Sequence, residues 1–89
     1  MSRLESLIAR AREVADLFRL GRDVEAAVNM IELFDPVQGL VDVAPLAVQQ
    51  DWAGLLTLML KCQEAQDWLG LADYLEYELV EWLSMAFGD

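Results

Sequence analysis

Apolar residues recur at intervals of three and four along most of the chain, and this spacing decides the class of fold. Such intervals place apolar side chains on one face of an α-helix, whereas a strand needs strict apolar–polar alternation, which no segment shows. Four such stripes predict an all-α fold, an antiparallel helical bundle of about four helices. We expect residues 1–89 to form a single domain.

Capping residues mark where several of the helices are expected to begin and end. Ser2 and Glu5 match the S-x-x-E capping box of a first helix, and Gly21 suits the left-handed position that follows a helix. Asp23 is placed to cap a second helix, and Asp67 is placed to cap the last one. The apolar stripe of the second helix is assigned to Val24, Ala27, Val28, Ile31 and Phe34.

Two prolines leave the middle of the chain open to several interpretations. The residue before a proline is pushed out of the α region, so Asp35-Pro36 is predicted to end the second helix. Residues 36–45 then form a short helix, a loop or a hinge. The third helix is predicted to begin near Leu46 or Gln50 and to end near residue 65.

The third and fourth helices differ in how their apolar residues are distributed. Leu58 and Leu60 lie off the stripe that contains Trp52 and Met59, so the third helix is apolar nearly all round and is expected to be buried on several sides. The fourth helix is expected at residues 68–87 and has a single stripe. That stripe consists of Trp68, Leu71, Ala72, Leu75, Leu79, Trp82, Leu83 and Ala86.

The residue types that are missing exclude most catalytic and metal chemistry. The chain has no histidine and one cysteine, Cys62, so neither a Ser-His or Cys-His nucleophile pair nor an ordinary zinc site can be assembled. Its five glycines are isolated, which argues against a phosphate-binding loop. Glu76 and Glu81 could do acid–base work, but a solvated helix face is the simpler interpretation. We expect a protein that is not an enzyme and uses no cofactor or metal.

Charge and hydropathy limit the class of partner. A formal net charge of −10 makes nucleic acid a poor partner, and the longest apolar run, residues 55–60, is far shorter than the roughly 20 residues that span a bilayer. The charges of Arg3 and Glu5 leave no room for an apolar signal segment, so we expect a cytoplasmic protein with no membrane partner. A hydrophobic fraction of 56% is high for a small chain and predicts exposed apolar surface that another protein covers.

The charges are segregated along the chain. Residues 1–22 contain five arginines and three acids, whereas residues 23–89 contain one base, Lys61, and thirteen acids. Three arrangements follow from this pattern. The basic helix lies against the acidic last helix, or it pairs with a second copy in an antiparallel dimer, or it only offsets repulsion within its own monomer.

The segment at residues 67–83, DWLGLADYLEYELVEWL, combines aromatic and acidic residues and contains no base. Tryptophan and tyrosine are enriched at protein interfaces, so this segment is predicted to bind a partner. The alternative is that its aromatic residues fill the core of a small bundle. The candidate partner-binding residues are Trp68, Asp73, Tyr74, Glu76, Tyr77, Glu78, Glu81 and Trp82.

The run from Asp67 to Leu79, D-W-x-x-L-A-D-Y-L-E-Y-E-L, resembles a recurrent segment of small helical bacterial proteins, some of them motility-associated. In those proteins a D-aromatic-x-x-LAD-x-LEYEL run follows one helix and opens the next. A proline that follows the run there is missing here, where Trp82 and Leu83 continue the helix. The resemblance implies a bacterial, cytoplasmic, non-catalytic module that binds another protein, and it assigns no catalytic residue.

Two functions fit these observations. The first is a small homodimeric interaction protein, an adaptor or chaperone-like module that holds an amphipathic helix or an apolar segment of its partner. The second is an acidic inhibitor, such as an immunity protein or antitoxin, that covers a basic surface of its target. The apolar excess favours the first. Salt distinguishes them, because binding through an acidic face weakens in salt and apolar binding barely changes.

Overall fold

Four helices account for nearly all of the chain that the structure describes, and that part contains no strand. The structure is a computed structural model that describes residues 2–88. The predicted all-α fold of about four helices is therefore confirmed. The helices are α1 (Arg3–Arg19), α2 (Asp23–Asp42), α3 (Leu46–Glu64) and α4 (residues 68–87).

Three of the four predicted caps form, and the predicted cap at Asp23 is wrong, because Asp23 is the first residue of α2 and the preceding Arg22 makes no side-chain cap. The Ser2 hydroxyl accepts a hydrogen bond from the backbone N–H of Glu5 at 3.1 Å, and the Asp67 carboxylate accepts one from the N–H of Gly70 at 3.0 Å. Gly21 has a φ of +78°, the left-handed conformation that glycine adopts without a steric penalty. These local interactions fix where α1 begins and ends and where α4 begins.

One apolar core connects all four helices, but they contribute to it unequally. Helix α1 packs against α2 and along the length of α4, while α3 packs mainly against the start of α4 and contacts α2 less. Helices α1, α2 and α4 each place five buried apolar residues in this core, and α3 places only Trp52 and Met59 there. Helix α3 is therefore the least covered of the four.

Helix α2 continues through Pro36, so the predicted helix end at Asp35-Pro36 is wrong. Proline inside a helix removes one hydrogen bond and crowds the carbonyl four residues back, at a cost of about 3 kcal/mol. The continuing helix buries Val37 and Val41 completely or almost so. Burying each valine side chain contributes roughly 1.5–3 kcal/mol, which offsets the cost of the proline.

The apolar stripe assigned to α2 is also wrong, because it was assigned to a helix that ends at Asp35. Val24, Val28 and Ile31 face solvent with relative exposures of 82%, 52% and 66%. A helix that extends beyond the proline has a second and longer apolar row, and this row reaches the core. Its members are Ala26, Met30, Leu33, Val37 and Val41.

Helix α3 was expected to be buried on several sides, and this expectation is wrong. Leu46, Leu58 and Leu60 are exposed, although Leu55 and Leu56 pack partly against the core. A chain of this size leaves a large share of its surface in water, because small domains have much surface per residue. Helix α3 packs mainly against α2 and α4, so its other faces stay uncovered.

Helix α4 contains a π-helical segment, Tyr74–Leu79, between two α-helical segments. Its buried leucines follow one another at intervals of four residues, and four residues of α-helix overshoot a full turn by about 40°. A π-helical turn takes more than four residues, because its hydrogen bonds join residues i and i+5. The π segment thus keeps the leucines on one face. They are Leu71, Leu75, Leu79 and Leu83.

Candidate partner-binding surfaces

The two tryptophans among the predicted partner-binding residues pack at the edge of the core. Trp68 stacks on Phe18 of α1, with ring centroids 5.5 Å apart and planes 8° from parallel. Trp82 stacks on Trp52 of α3 at 5.4 Å. Both side chains are half-buried and packed against the core, which fixes the positions of α1 and α3 relative to α4.

A chain of aromatic rings holds α3 against its neighbours. Phe34 of α2 meets Trp52 edge-on at 5.4 Å, and Phe87 meets Trp82 edge-on at 5.6 Å. Each such pair contributes roughly 0.5–1.5 kcal/mol beyond the burial of its surface. The Trp82 Nε1 atom is buried and no group among residues 2–88 accepts a hydrogen bond from it. Packing, and not a hydrogen bond from Nε1, therefore sets the position of the Trp82 ring.

Two of the predicted acidic residues bind within the chain instead of facing solvent freely. Arg19 of α1 reaches the Asp73 carboxylate at 2.9 Å and the Glu76 carboxylate at 3.0 Å. The Arg19 side chain is 30% exposed, and hydrogen bonding to Asp73 is the main cause that raises its pKa above the ordinary value. The basic first helix thus lies against the acidic last helix, the first of the three arrangements that the charge pattern allows.

Replacing Arg19 tests this ion-pair cluster. We expect Arg19→Ala to lower the free energy of unfolding by about 1 kcal/mol, the upper range for partly exposed pairs, because both carboxylates lose their cation. Arg12→Ala is the control, since Arg12 is exposed and has no carboxylate within 4.0 Å among residues 2–88. Urea unfolding at low and high salt measures both. Equal effects of the two variants would contradict the role given to Arg19.

The exposed part of the predicted site consists of aromatic and acidic side chains around two shallow hollows on α4. One hollow, of about 280 Å³, is lined by Asp73, Tyr74, Tyr77, Glu78 and Gly70. Tyr77 is 62% exposed, and the pKa of its hydroxyl is raised above the ordinary value, first by hydrogen bonding to the Glu76 carboxylate and then by the charge of that carboxylate. Tyrosine faces beside carboxylates suit a cationic side chain of a partner.

The second hollow on α4 measures about 220 Å³ and adds two more of the predicted residues, Glu81 and Trp82. Glu78, Glu81, Trp82 and Met85 line it. The structure therefore brings six of the eight candidates to these two hollows. Trp68 and Glu76 lie elsewhere, since Trp68 stacks on α1 and Glu76 binds Arg19.

A larger apolar surface than these hollows lies on α2, at positions that the sequence pattern assigned to the core. Val24, Val28 and Ile31 follow one another at intervals of four and three residues, so they form a continuous row on the solvent side of α2, which we call the outer row. These residue types are among those most often buried. The sequence signal for this surface was present, because α2 has more apolar residues than one face of a helix can hold.

A groove between α2 and α3 adjoins the outer row. It consists of two hollows of about 510 and 430 Å³, both bounded by Gln38, Trp52 and Leu56. The Trp52 Nε1–H donates a hydrogen bond to Oε1 of Gln38 at 2.8 Å, which bridges the two helices. We call this feature the α2–α3 groove. The hollow of 430 Å³ is also lined by Ile31, Glu32, Phe34 and Asp35, and that of 510 Å³ by Val41, Asp42, Gln49 and Ala53.

The remaining reactive group is the thiol of Cys62. It is half-buried beside the core, and burial, followed by the charge of Asp67, raises its pKa above the ordinary value. A raised pKa leaves little thiolate at neutral pH, so this thiol is a weak nucleophile.

Residues 2–88 contain no group of three or more acidic or cysteine side chains placed to hold a metal ion. None of the helices in that range combines the length and hydropathy needed to cross a bilayer.

Comparison with known proteins adds no functional information. No protein-family model matches the chain, and no significant similarity to a curated protein or to a solved structure is found. The resemblance of the run at residues 67–79 to helical bacterial proteins thus stays a prediction.

Proposed function

We propose that this chain is a small, acidic, non-catalytic protein–protein interaction module, adaptor or chaperone-like, that works as a homodimer. The observation that carries the proposal is the outer row of α2, which exposes three aliphatic side chains in succession. Scattered apolar residues are ordinary on a protein surface, but contiguous ones mark sites where another protein binds. The outer row continues into the α2–α3 groove through Ile31, so the apolar surface is larger than the row alone.

The outer row suits contact between two copies of the chain. Spacings of four and three residues form a ridge that packs into the grooves of another helix. A twofold axis near Val28, the middle of the row, would pair α2 with α2 of a second copy in antiparallel orientation, so that each row covers the other. No acidic or basic residue belongs to the row itself, so this contact removes apolar surface from water without burying a charge.

A charge placed in the outer row tests the homodimer. We expect Val28→Glu to convert a dimer into a monomer, because a carboxylate would lie at the centre of the apolar contact and face its counterpart. The matched control is Gln50→Glu, which adds the same charge at an exposed position of α3 outside the row. Light scattering reports the mass, and thermal unfolding reports whether both variants stay folded.

The result of this comparison is decisive for the proposal. A dimer for Gln50→Glu and a folded monomer for Val28→Glu would support contact through the outer row. A dimer for both variants would mean that the two copies meet through another surface. A monomer for the unaltered chain would remove the homodimer altogether.

The second candidate function is an acidic inhibitor of a basic protein, such as an immunity protein or antitoxin. The hollow between Tyr74, Tyr77 and Glu78 favours it, since aromatic faces with carboxylates attract a lysine or arginine side chain. The capture of Asp73 and Glu76 by Arg19 counts against it, because two of the acids proposed to face the target are already paired. High salt should release a target held in this way and should leave an apolar dimer intact.

We further propose a cytoplasmic location. The chain has one cysteine and so forms no disulfide of its own, which is typical of proteins in a reducing compartment. Fractionation of cells that produce the tagged protein measures this directly. Recovery of the protein from a compartment other than the cytoplasm would contradict it.

A further inference from the structure

The α2–α3 groove has an apolar floor and an open side. Phe34, Trp52 and Leu56 form its floor, and both hollows are lined by Gln38 and Trp52, which are joined by a hydrogen bond. The walls are two helices, and α3 buries only Trp52 and Met59 in the core, so much of its apolar surface still faces water. A third helix laid along such a groove would place apolar side chains in both hollows, as in helix-in-groove recognition.

The charged residues around the groove indicate the sign of the charge that its occupant carries. Residues 23–60, which supply α2 and most of α3, contain six acids and no lysine or arginine. Glu32, Asp35 and Asp42 line the groove. Glu32 binds Arg10, but neither Asp35 nor Asp42 has a basic side chain within 4.0 Å among residues 2–88. A basic occupant would supply the missing counter-charge.

A second copy of this chain does not provide such an occupant. Its arginine-rich helix is α1, whose apolar face is already buried in its own core through Leu7, Ala11 and Phe18. The helices with exposed apolar surface, α2 and α3, contain a single basic residue between them, Lys61, so neither can supply the counter-charge for Asp35 and Asp42. The occupant therefore has to come from a different protein.

We propose that the α2–α3 groove binds a basic amphipathic α-helix of a partner protein, with apolar side chains in the two hollows and lysine or arginine residues against Asp35 and Asp42. This proposal rests on the proposed function only in that it treats the chain as an interaction module. It uses a surface other than the outer row, except for Ile31 where the two meet. The two proposals can therefore fail separately.

A synthetic helix of known composition tests the proposal without knowledge of the natural partner. The probe is a fluorescein-labelled peptide of leucine and lysine only, with leucines at helical intervals of three and four. One control peptide replaces each lysine by glutamate, and another has the same leucine and lysine content in strict alternation. Fluorescence anisotropy measures binding to the whole chain and to the Val28→Glu variant.

Two matched pairs of variants locate the binding. Asp35→Lys reverses a charge at the groove, and Asp51→Lys makes the same change in net charge at an exposed position that does not line it. Leu56→Gln removes an apolar side chain from the floor, and Leu58→Gln does so on the exposed side of α3. Thermal unfolding first confirms that each variant is folded.

The proposal predicts that only the helical leucine–lysine peptide binds, with equal affinity for the unaltered chain and for Val28→Glu. Asp35→Lys and Leu56→Gln should each weaken binding about tenfold, whereas Asp51→Lys and Leu58→Gln should change it less than about twofold. Equal weakening within either pair would mean diffuse attraction to an acidic surface and would overturn the proposal.

Two further outcomes would also overturn it. Equal binding of the glutamate peptide would show that the charges of Asp35 and Asp42 do not contribute to binding. Binding to Val28→Glu but not to the unaltered chain would mean that a second copy covers the groove.

A monomeric unaltered chain that still binds the peptide in the expected pattern would refute the homodimer and leave the groove proposal supported.

Discussion

Leu79→Ala is expected to lower the free energy of unfolding by about 3–4 kcal/mol, a large part of the total for a domain of this size. Leu79 has no exposed surface and lies at the end of the π segment, between Leu75 and Leu83. Its removal would lose the burial of three carbon atoms and leave a cavity among side chains that cannot move together freely. Urea unfolding followed by tryptophan fluorescence measures the change.

Leu69→Ala is the matched control in the same helix. Leu69 is 65% exposed, so the same substitution should change the free energy of unfolding by less than about 0.5 kcal/mol. A loss of similar size in both variants would mean that the four-residue spacing of the buried leucines does not describe the face by which α4 meets the core.

Deletion of Tyr77 is expected to be tolerated, at a cost below about 1 kcal/mol. It would convert the buried spacing of four residues between Leu75 and Leu79 into three, so that the π segment becomes ordinary α-helix without loss of the apolar face. Tyr77 is exposed, and Arg19 keeps both Asp73 and Glu76. Circular dichroism and urea unfolding measure helix content and stability.

Deletion of Glu13 supplies the contrast. Glu13 is also exposed, but α1 is α-helical throughout, so the deletion rotates everything after it by about 100°. Phe18 would leave the core and Arg19 would lose its carboxylates. We expect this variant to lose at least about 3 kcal/mol or to be unfolded. Similar stability of the two deletion variants would show that the π segment does not set the register of α4.

The helix boundaries that local interactions determine could be predicted from the sequence. The hydrogen bond from Glu5 to Ser2, the positive φ of Gly21 and the cap at Asp67 each depend on residues close in the chain. The apolar face of α4 was also predicted correctly, because that helix has a single apolar stripe. The π segment was not, although the repeated interval of four residues in that stripe was its signal.

The face of α2 could not be predicted, because the sequence offers two apolar rows and local rules do not choose between them. The local rule for proline ended the helix at Asp35, which removed Val37 and Val41 from the count and favoured the shorter row. Burial of these two valines is a tertiary effect that overrides the proline. The outer row and the α2–α3 groove were missed for this reason.

The candidate site on α4 was predicted as one surface, but the structure divides it. Packing against α1 and α3 uses Trp68 and Trp82, and pairing with Arg19 uses Asp73 and Glu76. Composition cannot distinguish an aromatic residue that binds a partner from one that closes a small core. Their role in binding a partner remains a prediction, for which the exposed residues Tyr77, Glu78 and Glu81 are the best placed.

The mass of the unaltered chain in solution, measured by light scattering at low and at high salt, tests the central claim most directly. If exposed apolar surface on α2 joins two copies, the mass should be twice 10.0 kDa and should stay so at high salt, since salt screens charges and does not weaken apolar contact. A mass of 10.0 kDa under both conditions would contradict the homodimer, and the acidic inhibitor would then be the better account.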